Sequence, residues 1–379
     1  MKTALRALVV PTLALVSALV VGGLVMVFSD PDALRAWASF FRNPGNALSV
    51  SWELVADAYY ALFRSSLGSS YAISETIVQA TPLIMAGLSV ALAFKAGLFN
   101  IGAEGQVLAG ALVATYVGFT LDLPAPIHLP LTLLAGFTGG AVWGGIAGFL
   151  KARTGAHEVI TTIMLNFIAL RLVDYMLLTD TFLRTGRTDP ISKPVAPTAE
   201  LPAFGENLRA HAGILVALLA AVAVWWLLFR TTIGFRFRAV GANPSAGAYA
   251  GMSVGGTYLL AMLLAGGLAG LAGASTLLGV RRSLTPGFAA GIGFDAIALA
   301  LLGRTNPVGV VAAAVLFGIL RAGSVGMQAA TSVPVDIIVV IQALIIAFMA
   351  APALVMAIYR IRAERVAAEE VFTKSWAAS

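Results

Sequence analysis

The sequence has no cysteine and only three histidines in its 379 residues. Disulfides, thiolate metal sites and cysteine nucleophiles are excluded on that count. His128, His157 and His211 lie far apart and show no metal-ligand spacing, which argues against a zinc or haem centre. Charge is scarce too: Asp, Glu, Lys and Arg make up 11% of the chain, against about 25% in a soluble domain. No Gly-x-x-x-x-Gly-Lys-Ser/Thr phosphate loop occurs, so the chain has no means of hydrolysing ATP by itself.

What the sequence has in excess is apolar surface. Hydrophobic residues are 59% of the chain and the mean hydropathy is +0.91. A soluble protein of this length has too little interior to hide that much. The chain is therefore an all-α polytopic membrane protein, which rules out a soluble enzyme, a DNA-binding module and a disordered scaffold. The net charge of +6 and pI of about 9.8 fit basic cytoplasmic loops rather than nucleic acid. Glycine (39) and proline (16) together are about one residue in seven, as expected where helices approach closely or break inside a membrane.

A spanning helix needs roughly 20 apolar residues. Ten candidate segments satisfy or approach this: 7–28, 72–94, 102–120, 129–150, 158–178, 213–229, 255–279, 293–303, 307–322 and 334–357. The stretch 293–303 is short enough to be a half-helix or a tilted short span. Lys2 and Arg6 precede the first segment, but its apolar run exceeds a signal peptide's and no small-x-small cleavage site stands out, so it reads as a retained helix. If all ten segments cross, Lys95, Lys151, Arg153, Arg230, Arg236, Arg238 and the basic tail 358–379 fall on one side with the N-terminus. That side is cytoplasmic by the positive-inside rule. Two long connections, 29–71 and 179–212, fall outside, and stretch 51–67 is amphipathic with Trp52, Tyr59 and Tyr60 suited to the outer interface. The whole chain reads as one transmembrane domain.

Ile101-Gly102-Ala103-Glu104 and Ile292-Gly293-Phe294-Asp295 each begin an apolar run, about half the chain apart. Five segments in each half would give a 5+5 inverted repeat with broken helices in matching positions, a transporter architecture. On this reading Glu104 marks a cytoplasmic-side helix start. Asp295 is its counterpart at the outer side, within reach of Arg281 and Arg282.

Stretch 230–254 is the longest predicted cytoplasmic loop. Asn243 is a good N-cap, Pro244 suits the first helical position, and Gly251 suits the end of a short helix of small residues from Ser245 to Tyr249. Such a helix is shaped to enter a groove on another protein. Here Thr232-Ile-Gly-Phe-Arg-Phe-Arg-Ala-Val-Gly-Ala-Asn-Pro-Ser-Ala-Gly-Ala-Tyr-Ala-Gly-Met252 resembles the coupling loop of ABC-importer permeases of the branched-chain amino acid, ribose and simple-sugar superfamily. Ala93-Phe-Lys-Ala-Gly-Leu-Phe-Asn-Ile-Gly-Ala-Glu-Gly-Gln106 and His157-Glu-Val-Ile-Thr-Thr-Ile-Met-Leu-Asn166 look like its nucleoside-uptake branch, and Gly293–Gly303 also matches. The resemblance covers roughly residues 70–350.

The resemblance implies the permease subunit of an ATP-driven importer in the inner membrane, not an enzyme. It carries no cofactor of its own, because ATP is bound by a separate cytoplasmic ATPase subunit. The other implied partners are a second, different permease and an extracytoplasmic substrate-binding lipoprotein. Gly241, Asn243, Pro244, Ala246, Gly247, Ala250 and Gly251 are the expected ATPase-coupling residues. Phe99, Asn100, Glu104, Gln106, Asn166, Phe288 and Asp295 have the aromatic, amide and carboxylate chemistry that a flat base and a polar ribose require, and are the path candidates. Asn100, Glu104 and Gln106 also suit a purely structural role in holding unwound backbone. Arg171 and Asp174, three apart on one helix, are expected to form a structural ion pair joining two helices. The alternatives are the same machine carrying a simple sugar, and an ion-coupled secondary transporter using Glu104 and Asp295.

Overall fold

The computed structural model describes residues 2–331 and 333–360, so most of the predicted tail 358–379 lies outside the described residues. Fifteen α-helices account for most of the described residues: α1 (Lys2–Ser29), α2 (Pro31–Ala38), α3 (Pro44–Leu67), α4 (Ser70–Lys95), α5 (Ala103–Thr120), α6 (Ala125–Thr154), α7 (Glu158–Leu177), α8 (Gly213–Arg230), α9 (Thr232–Ala242), α10 (Pro244–Tyr249), α11 (Val254–Thr276), α12 (Ile292–Leu302), α13 (Pro307–Thr331), α14 (Asp336–Ala350) and α15 (Pro352–Ile358). The described residues form no strand, and two isolated bridges occur in the loop after α7.

Among the described residues, seven helices are long and apolar enough to cross a membrane: α1, α4, α6, α7, α8, α11 and α13. The chain is a multi-pass membrane protein. The other three expected spans correspond to α5, α12 and α14. At 1.5 Å per residue the 11 residues of α12 reach only about 16 Å, roughly half of a bilayer core. It is a half-helix.

The chain divides into two compact units, one made of residues 1–79 and 316–379, the other of 80–315. In the first, α1 lies against α14, with Gly22 facing Ile341. The amphipathic stretch predicted over 51–67 belongs to a longer helix, α3, which begins at Pro44 because Asn43 caps it by accepting from the Asn46 amide. Its Ala47, Ala58, Ala61 and Leu62 are buried. Tyr59 donates from its hydroxyl to the Leu19 carbonyl of α1, while Trp52 and Tyr60 face outward.

The second unit is built around α5, which touches α6, α7, α11 and α12. Its tightest seam joins α6 to α11. Gly136, Gly140 and Gly144 recur every fourth residue on α6 and meet Gly266 and Gly270 on α11. A Cβ at Gly140 would collide with the Gly266 carbonyl oxygen, and one at Gly270 with the Gly136 carbonyl oxygen. In lipid there is no hydrophobic drive between helices, so close backbone approach at small residues supplies the attraction.

Loop 178–212 covers the far end of this seam. Val195 donates to Arg282 O, Leu201 to Leu278 O and Ala196 to Gly118 O, while Ser192 and Leu284 exchange bonds through the Ser192 hydroxyl and backbone. His128, buried at the start of α6, bonds Thr198 at 2.8 Å. His211 is buried where a Cβ at Gly213 or at Gly279 would strike its ring. Gly279 belongs to a π-helical turn, Leu277–Arg281, that follows α11 directly.

Burial pushes the His211 imidazole from its ordinary 6.5 down to about 4. The unfolded chain therefore takes up a proton at His211 that the folded chain refuses. Stability present at neutral pH should fall as pH drops through about 6.5 toward 4. Thermal unfolding of detergent-solubilised protein at several pH values checks this, and the His211→Asn variant should show a shallower pH dependence.

Candidate functional site: a junction of helix starts and an exposed helix of small residues

At the end of the second unit opposite loop 178–212, the ends of α4, α6 and α9 and the starts of α7 and α11 converge. Gly241, near the end of α9, lies so close to the Lys95–Gly97 turn after α4 that a Cβ there would strike the Lys95 carbonyl oxygen. Gly97 itself needs the left-handed region, with φ +76°. Ala152 of α6 meets Gly255 of α11. Lys151 of α6 pairs with Glu158 of α7 at 2.9 Å across their connecting turn. The basic helix ends read from the sequence thus lie here, Lys95 ending α4 beside α9, and Lys151 and Arg153 ending α6 beside the starts of α7 and α11.

The stretch expected to be a loop is mostly helical. Thr231 caps α9 by accepting from the Gly234 amide, and Gly234, Phe237 and Val240 turn inward at three-residue spacing. Arg236 and Arg238 stay exposed. The short helix is α10: Asn243 accepts from the Ala246 amide at 3.0 Å, Pro244 occupies the first turn, and Gly251 ends it at φ +79°. Gly247 is buried against Val240, which seats α10 on α9. The rest of α10 faces out, with Ala246, Ala248 and Ala250 exposed and Tyr249 97% exposed.

Four of the path candidates, Asn100, Glu104, Gln106 and Asn166, meet at a second place, the start of α5. Gln106, in the first turn of α5, lies against Gly144, ten residues before α6 ends at Thr154, so it sits about 15 Å in from the basic end. Asn100 and Gln106 are fully buried and exchange two amide hydrogen bonds, at 3.0 and 3.1 Å, across the unwound stretch between α4 and α5. Asn100 Oδ1 also accepts from Gly102 N. Asn166 of α7 accepts from Gly105 N at 2.8 Å and donates to Ile101 O at 2.9 Å. All three amides are engaged with backbone or with one another. Phe99 is half-buried and touches Phe94. Phe288 is buried beneath the Arg281 guanidinium.

The Glu104 carboxylate accepts from Gly291 N at 2.9 Å through one oxygen and from Gly293 N at 2.7 Å through the other. A Cβ at Gly293 would collide with the Glu104 amide nitrogen. The starts of α5 and α12 therefore touch. This corrects the expectation that Glu104 and Asp295 mark opposite sides of the membrane: both helices begin inside the unit, at one junction, because the chain between α11 and α12 returns inward before α12 starts. Arg282 pairs with Glu200 of loop 178–212 at 2.9 Å. Arg171 and Asp174 pair at 3.4 Å within α7, with side chains 82% and 35% exposed. That pair joins two turns of one helix on an outward face, not two helices.

Replacing Asn166 with Ala leaves the buried Gly105 N–H without its acceptor and the part-buried Ile101 C=O without its donor. At about 1–3 kcal/mol per orphaned group, Asn166→Ala should lower the thermal midpoint sharply, whereas Arg171→Ala on the exposed face should leave it nearly unchanged.

Residues 72–350 match the family described as the branched-chain amino acid transport system permease component. The chain belongs to this permease family. It is 43% identical to the guanosine ABC transporter permease protein NupP of Bacillus subtilis, over 90% of this chain and 93% of that one. It is 38% identical to the glucose ABC transporter permease protein TsgB13 of Haloferax volcanii, covering 89% and 86%. The nucleoside ABC transporter permease protein NupB of Lactococcus lactis is 36% identical, covering 92% of each chain. No solved structure matches. The permease is a subunit of an ABC transporter and is not itself an enzyme; ATP hydrolysis belongs to a separate subunit.

Proposed function

We propose that this permease forms the membrane path for nucleosides in an ATP-driven importer of the inner membrane. The observation that carries the cargo is its similarity, over nine-tenths of its length, to permeases named for guanosine and for nucleosides. In this reading α10 docks on the cytoplasmic ATPase through Ala246, Ala248, Tyr249 and Ala250, with Asn243, Pro244, Gly247 and Gly251 shaping the helix and Gly241 seating its base. The basic ends of α4 and α6 and the exposed Arg236 and Arg238 of α9 support a cytoplasmic location for that face and for both termini. Loop 178–212 then faces the extracytoplasmic binding protein, and a second, different permease completes the path.

Phe99, Glu104 and Asp295 border the path at the junction of α5 and α12. Asn100, Gln106 and Asn166 hold its backbone, and Phe288 backs it from within. Few direct cargo contacts suit a subunit that receives its substrate from a binding protein, since tight binding in the channel slows release. A glucose permease among the relatives makes sugar the second reading. Competition against radiolabelled guanosine uptake, in cells whose uptake depends on this chain, separates the two. Unlabelled adenosine should compete and glucose should not; competition by glucose alone would transfer the assignment to sugars.

A further inference from the structure

Every backbone N–H from Gly291 to Asp295 has an acceptor inside the chain. Gly291 and Gly293 donate to Glu104, Ile292 donates to Ala289 O, and Phe294 and Asp295 both donate to Gly291 O. The start of a helix presents such donors together with the positive end of its dipole, an arrangement that holds phosphate and carboxylate groups. In transporters built from broken helices, half-helix N-termini aimed at the path hold anionic groups of the cargo. Here the place of that anionic group is taken by the chain's own carboxylate, reaching over from the start of α5. A second carboxylate, Asp295, lies in the same first turn of α12. Glu104, Gly291 and Asp295 are only half-buried and Phe294 is 53% exposed, so the junction opens at the surface of its unit.

We propose that Glu104 is a specificity-determining residue that makes the path selective for uncharged cargo. Its carboxylate saturates the α12 start and adds negative charge there. A phosphorylated or carboxylated solute would find neither free donors nor a favourable field, whereas a neutral nucleoside meets no such penalty. The proposal rests on the nucleoside-permease reading above, which places this junction on the path.

The test uses the full chain purified in detergent, with inorganic phosphate as the probe and sodium chloride at equal ionic strength as the control. Glu104→Ala frees the two α12 amides and removes the charge. Phosphate should then raise its unfolding midpoint by about 3 °C, while the wild-type midpoint should not move. Should Glu104→Ala fail to fold, Glu104→Gln, of the same size without the charge, carries the test. Stabilisation of a variant but not of the wild type supports the proposal. Equal stabilisation of the wild type, or no response in a folded variant, overturns it. Guanosine uptake by the wild-type transporter is measured alongside. Loss of the phosphate response with normal guanosine uptake removes this proposal alone, whereas absent guanosine uptake removes the cargo reading.

Discussion

Gly140→Leu is expected to prevent the permease from accumulating as a folded chain. At Gly140 a side chain meets backbone, namely the Gly266 carbonyl oxygen and the Gly270 Cα and nitrogen. Backbone cannot rotate out of the way as the end of a side chain can, so α6 and α11 would have to separate along the seam. Overpacking a well-filled interior costs about 1–3 kcal/mol, and more where the backbone must shift, against a total stability of about 5–15 kcal/mol. The α6–α11 seam also carries α5, because a Cβ at Gly110 would strike Gly270. Loss of the seam therefore disturbs the helix that starts at the junction. Gly45→Ala is the control: its only neighbour, Asn43 Oδ1, lies at an ordinary 3.8 Å. Yield of monodisperse protein from membranes should collapse for Gly140→Leu and stay at the wild-type level for Gly45→Ala.

Ala248→Arg should uncouple transport from ATP hydrolysis and leave the fold intact. Ala248 is exposed on α10, so an arginine there disturbs nothing within the chain. In a groove fitted to small side chains it would clash. Losing one interface residue worth about 1.4 kcal/mol or more weakens docking about tenfold or more. Gly247→Val acts differently, because its added atoms press on Val240, where Cβ alone already stands 3.0 Å from Cγ2. That variant should tilt α10 away from α9 and impair docking indirectly. Uptake measured at equal membrane abundance should fall for both. A photo-crosslinker at Ala248 should capture the ATPase in the wild-type background.

Most of this architecture is legible in the residues. The apolar runs place the long helices, since composition alone dictates a membrane setting. The Asn243-Pro244-Ser245 start and the Gly251 stop define α10, because caps are local chemistry. The three-residue spacing of Arg171 and Asp174 gives their pair, although not that it lies on an outward face. The junction was only half legible. The matching Ile-Gly-x-acid stretches mark two helix starts, but nothing in their composition says that they touch. The bonds that join them run from one carboxylate to backbone N–H groups 187 and 189 residues away, and backbone donors leave no signature in a side-chain pattern. The amide exchange between Asn100 and Gln106 was hidden for a similar reason: residues six apart face each other only because the chain between them is unwound. The glycine seam did leave a signal, the four-residue spacing of Gly136, Gly140, Gly144 and Gly148, matched by Gly266 and Gly270.

The central claim, that this chain is the passive membrane part of an ATP-driven importer, is tested most directly by purifying the intact chain from membranes in mild detergent. The proteins that accompany it are identified, and ATP hydrolysis is measured with the binding protein and guanosine added. The account predicts a co-purifying ATPase, a second permease and hydrolysis stimulated by the nucleoside. A homo-oligomer without ATPase, moving its cargo on an ion gradient, would contradict it.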